Sequence, residues 1–306
     1  MNVKKFFPYC TARGLVVRML LNSIIRSESI FERINRENIK NWSEYRRIKF
    51  RCNICGFYGT PFFDFPNLSL RREHRIGILR ESLHCRKCAA SMRDRTLARQ
   101  LLEQISQINN RQYDQINNLK QDDLENIKIL DTDAFSPISK YLNKFPNYIR
   151  SSFVDPINLN YEIDNNHFNI NLENIGFPSE SFDIVLTSDV MEHVRNIDSA
   201  HKEISRILKV GGKYIFTVPY DDSSETHHIL VDTQGDLDNY LVPPQYHGDP
   251  IRGGIIAYRV FGRAIFEDLK LLHLNLKVDF YDDIVNLIIN GDSFVATKML
   301  EKDNVY

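Results

Sequence analysis

Apolar positions along the chain change their spacing from one region to the next, and each change predicts a different kind of element. Leu15, Val16, Met19, Leu20, Ile24 and Ile25 keep helical spacing with Arg13, Arg18 and Arg26 among them, which predicts an amphipathic basic helix over roughly residues 12–36. Such a stripe either packs on its own protein or lies on a membrane surface. Leu97, Leu101 and Leu102 repeat with the same period and predict a second helix. Between 109 and 123 Asn, Gln and Asp dominate with no periodic apolar face, which reads as a polar linker over 109–124. Beyond it, short apolar runs alternate with helical ones. Strands are expected at 127–130, 151–154, 182–187 and 213–218, and helices at 138–145 and 199–208. Ser136 and Pro137 suit the cap and first position of the first helix; Gly211-Gly212 suits the end of the second, and Pro219 closes the last strand. This alternation predicts an α/β domain, a parallel sheet with helices on both faces. Ligands of such sheets bind beyond the carboxyl ends of the strands, where the strand order reverses.

The chain has 306 residues, 42% apolar and 26% charged, with a formal net charge of -1. Those values exclude wholesale disorder, and no stretch reaches the roughly 18 uncharged apolar residues of a membrane-spanning helix. The near-neutral total hides an asymmetry. Residues 1–100 carry 21 Lys or Arg against 8 Asp or Glu, and the remainder carries 18 against 32. Two modules are implied. The basic one favours an anionic partner, whether RNA, a phospholipid surface or a phosphorylated carrier, unless it only neutralises the acidic one. Lys4 and Lys5 precede an apolar run that Arg18 and Asn22 interrupt, with no small-residue cleavage site after it, so an export signal is not expected.

Five cysteines are too few for a disulfide scaffold. Four of them form two C-x-x-C pairs, Cys52-Asn-Ile-Cys55 and Cys85-Arg-Lys-Cys88, with 29 residues between. Each pair can make a knuckle that offers two thiolates, and two knuckles close a tetrahedral four-sulfur site suited to structural zinc. Gly56 lets the first knuckle turn. A redox motif needs one such pair, not two. His74 and His84 lie near but a full set of thiolates leaves them no necessary role, and Cys10 stands alone as a free thiol. A reduced, zinc-bearing chain points to the cytoplasm, with peripheral attachment at the inner membrane face as the use of the basic helix.

Phe182-Asp183-Ile-Val-Leu-Thr-Ser188-Asp189-Val-Met-Glu192-His193-Val194, followed by Glu203-Ile-Ser-Arg206-Ile-Leu208-Lys-Val-Gly211-Gly212-Lys-Tyr-Ile-Phe-Thr-Val-Pro219, resembles the class I S-adenosylmethionine-dependent methyltransferases. Asn171-Leu-Glu173-Asn-Ile-Gly-Phe177-Pro178 is similar to the segment that family places around the adenine. With the paired cysteines ahead and Tyr246-His247-Gly248-Asp249-Pro250 after, the chain more loosely resembles a bacterial subgroup often associated with surface-polysaccharide genes. The resemblance implies a Rossmann-like, doubly wound, seven-stranded methyltransferase sheet over 125–306. A basic helical segment over 1–50, a zinc module with its connecting helix over 51–108 and the linker over 109–124 would precede it.

The resemblance also implies roles. Asp131, ending the first strand, would lie near the amino group of S-adenosylmethionine, with Thr132 and Asp133 in the loop that follows. Asp155 would accept the ribose hydroxyls, a task suited to a carboxylate. Asn171 and Leu172 would meet the adenine, and Ser188 would border the cofactor. For each polar residue the alternative is a cap or turn, which Asp and Asn favour anyway. The segment Asp131-Thr132-Asp133-Ala134-Phe135-Ser136-Pro137 lacks the glycines usual there. Either a reshaped loop binds the cofactor or the domain is a non-catalytic scaffold. Asp189, Glu192 and His193 share one face if a helix starts there. His193 is the candidate base, and the same trio is an alternative seat for a divalent cation that acidifies a hydroxyl. Tyr220, His227, His228, Tyr246, His247 and Asp249 lie in the insert after the fifth strand, which would shape the acceptor pocket. The expected acceptor is a sugar, glycan or other small hydroxylated molecule. The alternative is RNA gripped by the basic zinc module.

Overall fold

The computed structural model describes residues 45, 47–63, 79–235, 237–247 and 254–300. The basic helix expected over 12–36, Cys10, His74 and Asp249 lie outside the described residues. The chain divides into two compact units, the first ending at Thr96 but joined by Tyr281–Gly291, the second formed by Leu97–Phe280 and the residues from Asp292 onward.

In the first unit β1 (Phe50–Arg51) pairs antiparallel with β2 (Tyr58–Gly59). After β3 (Phe62–Phe63), one turn of helix, α1 (Leu79–Ser82), leads into β4 (Leu83–His84), which pairs antiparallel with β3. Each short ribbon delivers one cysteine pair. The Gly56 N–H donates to the Cys52 carbonyl at 2.9 Å and the Ala89 N–H to the Cys85 carbonyl at 2.9 Å. Both turns pass through a left-handed residue, Gly56 at φ 73 and Ala89 at φ 60; glycine takes that conformation without strain and alanine does not.

The helix α2 (Met92–Asn109) starts on a reciprocal cap. The Asp94 carboxylate accepts from the Ser91 N–H at 2.8 Å, and the Ser91 hydroxyl accepts from the Asp94 N–H at 3.1 Å. One turn in, Arg95 is fully buried. Its guanidinium donates to the carbonyls of Leu83, Ala90, Asn286 and Leu287 at 3.0, 2.8, 2.9 and 3.0 Å, and lies 4.9 Å from the centre of the Phe50 ring. Arg95→Met would remove the guanidinium donors from four carbonyls, of which that of Ala90 keeps the Cys85 N–H at 2.8 Å. A loss of about 3 kcal/mol or more is expected, measured as faster hydrogen exchange at the amides of β4 and its knuckle.

The main sheet has eight strands in the order β17-β18-β10-β9-β5-β6-β8-β7, one more than expected. Its strands are β5 (Ile129–Asp131), β6 (Tyr148–Ser152), β7 (Tyr161–Asp164), β8 (His167–Asn169), β9 (Phe182–Ser188), β10 (Leu208–Thr217), β17 (Leu274–Asp283) and β18 (Ile288–Lys298). The extra strand is β7, antiparallel at the edge and exposed at every residue, so no apolar alternation announces it. β5, β6, β8, β9 and β10 run parallel to their neighbours among themselves, while β18 is antiparallel to β10. The chain steps outward from β5 to β6 and β8, then returns to β9 and β10 on the other side. The order therefore reverses between β5 and β9, which places the ligand crevice beyond Asp131 and Ser188.

Three connections differ from the expected ones. The first helix shortens to α3 (Ser139–Leu142), with the Ser136 hydroxyl accepting from the Ser139 N–H at 2.9 Å. The next, α4 (Ile197–Ile207), is capped by Asn196 and buries Ala200, Ile204 and Ile207 at helical spacing. It does not stop at Gly211-Gly212. β10 begins at once at Leu208, and the glycines sit where its register with β9 shifts. There Gly211 has φ 80, and a Cβ on Gly212 would lie 2.8 Å from the Lys209 carbonyl oxygen. The polar segment 109–124 is folded as two 3-10 turns with Ile116, Leu119 and Leu124 buried. Asp123 braces it by accepting from the Tyr113 hydroxyl at 2.7 Å and the Lys120 N–H at 2.8 Å.

Between β10 and α5 (Ile265–Lys270) the insert forms three short ribbons, β11 (His228–Ile229) with β16 (Arg259–Val260), β12 (Val231–Asp232) with β13 (Asn239–Tyr240), and β14 (Tyr246–His247) with β15 (Ile255–Ile256). Among the described residues no helix is long and apolar enough to cross a membrane.

Candidate functional site

At the end of β5 the Asp131 side chain is almost fully buried. Its carboxylate accepts from the Tyr148 hydroxyl and, at 2.9 Å, from the Asp133 N–H. Burial, reinforced by the Asp133 charge, pushes its carboxyl up to about 7. Beside it the Thr132 hydroxyl oxygen is buried without a hydrogen-bond partner. The loop needs no glycine because it turns without a left-handed residue. Asp133 accepts from the Phe135 N–H at 3.2 Å, Ser139 donates to the Ala134 carbonyl at 2.9 Å, and the Ala134 N–H reaches the Ser151 carbonyl at 3.1 Å. Asx-type turns do here what glycines do elsewhere.

Asp155 lies in the loop after β6, but its carboxylate is engaged locally. It accepts from the backbone N–H of Ile157 at 2.8 Å and of Asn158 at 3.2 Å, and from the Asn158 side chain at 2.8 Å. These bonds, that of the Asn158 side chain foremost, hold its carboxyl below the usual range. Asn169, fully buried at the end of β8, fixes this loop. Its oxygen accepts from the Val154 N–H at 2.8 Å and its amide donates to the Asp155 carbonyl at 2.7 Å. Asn171 accepts from the Glu173 N–H at 3.0 Å, and Leu172 is buried. Glu203 and Arg206 of α4 bind the backbone of Ile175 at 2.7 Å each, so the 171–175 segment is anchored.

Beyond β9, Ser188 is buried and Asp189 takes a left-handed conformation at φ 48. A 3-10 turn (Met191–His193) follows where a helix was the condition for one shared face. Glu192 and His193 still meet. Glu192 is fully buried, and neither carboxylate oxygen has a hydrogen-bond partner. The Nε2 atom of His193 lies 3.6 Å, and the Nδ1 atom of His247 3.7 Å, from the same Glu192 oxygen. The two imidazoles meet edge to face at 4.8 Å. Burial, and next the Asp189 charge, push the Glu192 carboxyl up to about 7, while His247 draws it back.

The insert holds this turn in place. Arg259 on β16, buried, donates to the carbonyls of Met191 at 3.0 Å, Val194 at 2.6 Å and Arg195 at 3.0 Å. The Tyr258 N–H donates to the Glu192 carbonyl at 2.8 Å. Arg259 and Asn169 were not legible as site residues, because their partners are backbone atoms of distant segments. The other insert candidates lie elsewhere. His227 is committed to Asp268 at 2.7 Å and to the Gly262 N–H at 3.0 Å, and His228 to Asp221 at 2.8 Å. Tyr220 packs edge to face on Phe294 at 5.1 Å. Of the described residues expected to shape the acceptor pocket, His247 is the one placed against Glu192 and His193.

In the first unit the four cysteines converge, all Sγ atoms within 4.8 Å of one another. Cys52 and Cys88 are 3.7 Å apart and Cys55 and Cys85 are 3.6 Å apart. Sulfurs in a tetrahedral zinc site are spaced by about 3.8 Å when each Zn–S bond is about 2.3 Å, so the donor set fits zinc.

Residues 155–216 match a family model described as a methyltransferase domain. That segment carries a methyltransferase signature. It holds β7, β8, β9 and α4 and nearly all of β10, and the Glu192–His193 turn falls inside it. No curated protein matches the chain. Similar solved structures include an S-adenosylmethionine-dependent methyltransferase from Methanosarcina mazei, at 17% identity over 60% of this chain and 96% of that one, with a TM-score of 0.35. Another is a Burkholderia thailandensis 1,6-didemethyltoxoflavin N1-methyltransferase with its substrate and S-adenosylhomocysteine bound, at 11% identity over 60% and 77%, with a TM-score of 0.33.

Proposed function

We propose that this chain transfers a methyl group from S-adenosylmethionine to a hydroxyl oxygen of a sugar, glycan or other small hydroxylated acceptor. The observation that supports it is two clusters just beyond the ends of the adjacent strands β5 and β9, where the strand order reverses. One is Asp131 with the orphan Thr132 hydroxyl, and the other is the Glu192–His193–His247 cluster, inside or beside the methyltransferase segment.

A buried carboxylate beside an unpartnered hydroxyl fits a cationic amino group, so Asp131 and Thr132 would hold the methionine end of the cofactor. Anchored Asn171 and Leu172 would meet the adenine, with Ser188 bordering the site. Asp155 shapes its own loop, its carboxylate accepting from Ile157 and Asn158 and its backbone held by Asn169. When bound, S-adenosylmethionine supplies a methyl group on a cationic sulfur, already activated toward an oxygen nucleophile. The chain's part is chiefly alignment. His193 donates from Nδ1 to the Ile256 carbonyl at 2.7 Å, so in the neutral ring Nε2 carries the lone pair that takes the hydroxyl proton. The four-cysteine cluster, by our reading, binds structural zinc and shapes the first unit.

Two measurements test this. Tritiated methyl transfer to a panel of mono- and disaccharides is expected to yield a labelled product, and label in added RNA instead would favour the nucleic-acid reading. Cofactor affinity is expected to depend on pH through Asp131. An ammonium group prefers the ionised carboxylate, whose carboxyl sits at about 7 in the free protein. Below that value binding must release a proton and weakens by up to about tenfold per pH unit. Asp131→Asn should weaken binding and flatten that slope, and an unchanged profile would remove Asp131 from the site.

A further inference from the structure

Glu192, His193 and His247 pose an electrostatic question that methyl transfer alone does not answer. The Glu192 carboxylate is fully buried with both oxygens lacking a hydrogen bond, an arrangement that costs free energy unless something else satisfies it. Facing it are two ring nitrogens rather than N–H donors at bonding distance, Nε2 of His193 at 3.6 Å and Nδ1 of His247 at 3.7 Å. The Ile256 carbonyl can only accept, so its 2.7 Å bond to His193 Nδ1 puts the proton of the neutral ring on Nδ1. With Glu192 ionised, the His193 Nε2 lone pair then points at a carboxylate, which is acceptor against acceptor. A cation between them resolves the conflict.

We propose that Glu192, His193 and His247 bind a divalent first-row transition cation. The three donor atoms lie within 4.8 Å of one another. Donors about 2.1 Å from a shared ion stand roughly 3.0–3.4 Å apart, so the two Glu192–imidazole separations need to close by only a few tenths of an ångström. Two imidazoles and one carboxylate on one side of an ion form a donor set suited to Mn, Fe, Co or Zn rather than to calcium, with positions left open opposite them. The second shell is present as well. The Ile256 carbonyl orients His193, as a carbonyl or carboxylate commonly orients a metal-bound imidazole, and Arg259 fixes the turn that carries Glu192 and His193. His247 arrives from β14, paired with the β15 strand that supplies the Ile256 carbonyl, so one ribbon of the insert delivers both a ligand and an orienting group.

The half-exposed His247 leaves the site within reach of solvent, and the open positions suit oxygen atoms of an acceptor. An ion there would bind the acceptor hydroxyl and lower its pKa, in place of His193 acting as base. That use rests on the methyl-transfer reading, whereas cation binding does not.

The test uses the full chain with its cysteine cluster loaded, in the absence of cofactor and acceptor. Mn2+ is titrated while the electron paramagnetic resonance signal of the free ion is followed. One Mn2+ per chain is expected to bind, with affinity at least about tenfold weaker in both Glu192→Gln and His247→Ala. His247 is half exposed on a short ribbon, so its alanine variant keeps the fold even if Glu192→Gln does not. No Mn2+ or Co2+ bound beyond the metal of the cysteine cluster, or wild-type affinity in His247→Ala, overturns the proposal. Cation binding in a chain that transfers no methyl group would uphold the site and reject the activity.

Discussion

Replacing Cys85 with serine, or stripping the cluster with a strong chelator, is expected to unfold the first unit and leave the sheet of the second intact. Among its described residues the first unit has two-residue strands and a small set of buried apolar side chains, including Phe50, Ile54, Leu83 and Ala90. A core that small does not hold a fold without a staple. Binding free energy of a structural zinc site, on the order of 10 kcal/mol or more, is folding free energy. Hydrogen exchange should therefore show loss of protection at the amides of both knuckles, while those of β5, β9 and β10 stay protected. Retained protection at the knuckles of Cys85→Ser would show that the cluster is not the staple.

The second large effect is expected at Arg259. Burial pulls its guanidinium down to about 10, so it stays charged at neutral pH and keeps three carbonyls of the 191–195 turn satisfied. Arg259→Met removes all three donors from a buried place, at a cost of about 3 kcal/mol or more. The turn that carries Glu192 and His193 would shift, and a displacement near an ångström lowers turnover by roughly 100-fold. Asp131 lies on another strand, so cofactor affinity should stay close to that of the wild type. Equal losses in affinity and turnover would mean that Arg259 supports the whole domain rather than the turn.

The parts of this fold that show in the sequence are those with dense local signals. β9 and β10 are buried apolar runs, and α4 repeats Ala200, Ile204 and Ile207 on one face. The cysteine pairs advertise themselves by spacing alone. Segment 109–124 reads as a linker because its three buried apolar residues are few and aperiodic, and β7 is silent because both its faces meet solvent. Long-range pairings are the hardest to see. Glu192, His193 and His247 each stand out as chemistry-bearing residues, but nothing local says that β14 folds His247 onto a turn so far back in the chain. Arg95, Asn169 and Arg259 bind backbone carbonyls from several segments, so no motif marks them. Asp155 shows the converse, since a residue in the expected place spends its carboxylate on its own loop.

Binding of S-adenosylmethionine is the property on which the proposed activity depends. Calorimetric titration of the chain with the cofactor and with S-adenosylhomocysteine is the most direct test. Saturable binding of one molecule of either ligand per chain, weakened by Asp131→Asn, is the predicted result. No heat and no competition with either ligand at near-millimolar concentration, in protein whose second unit is folded, would contradict the account and leave the domain as a scaffold.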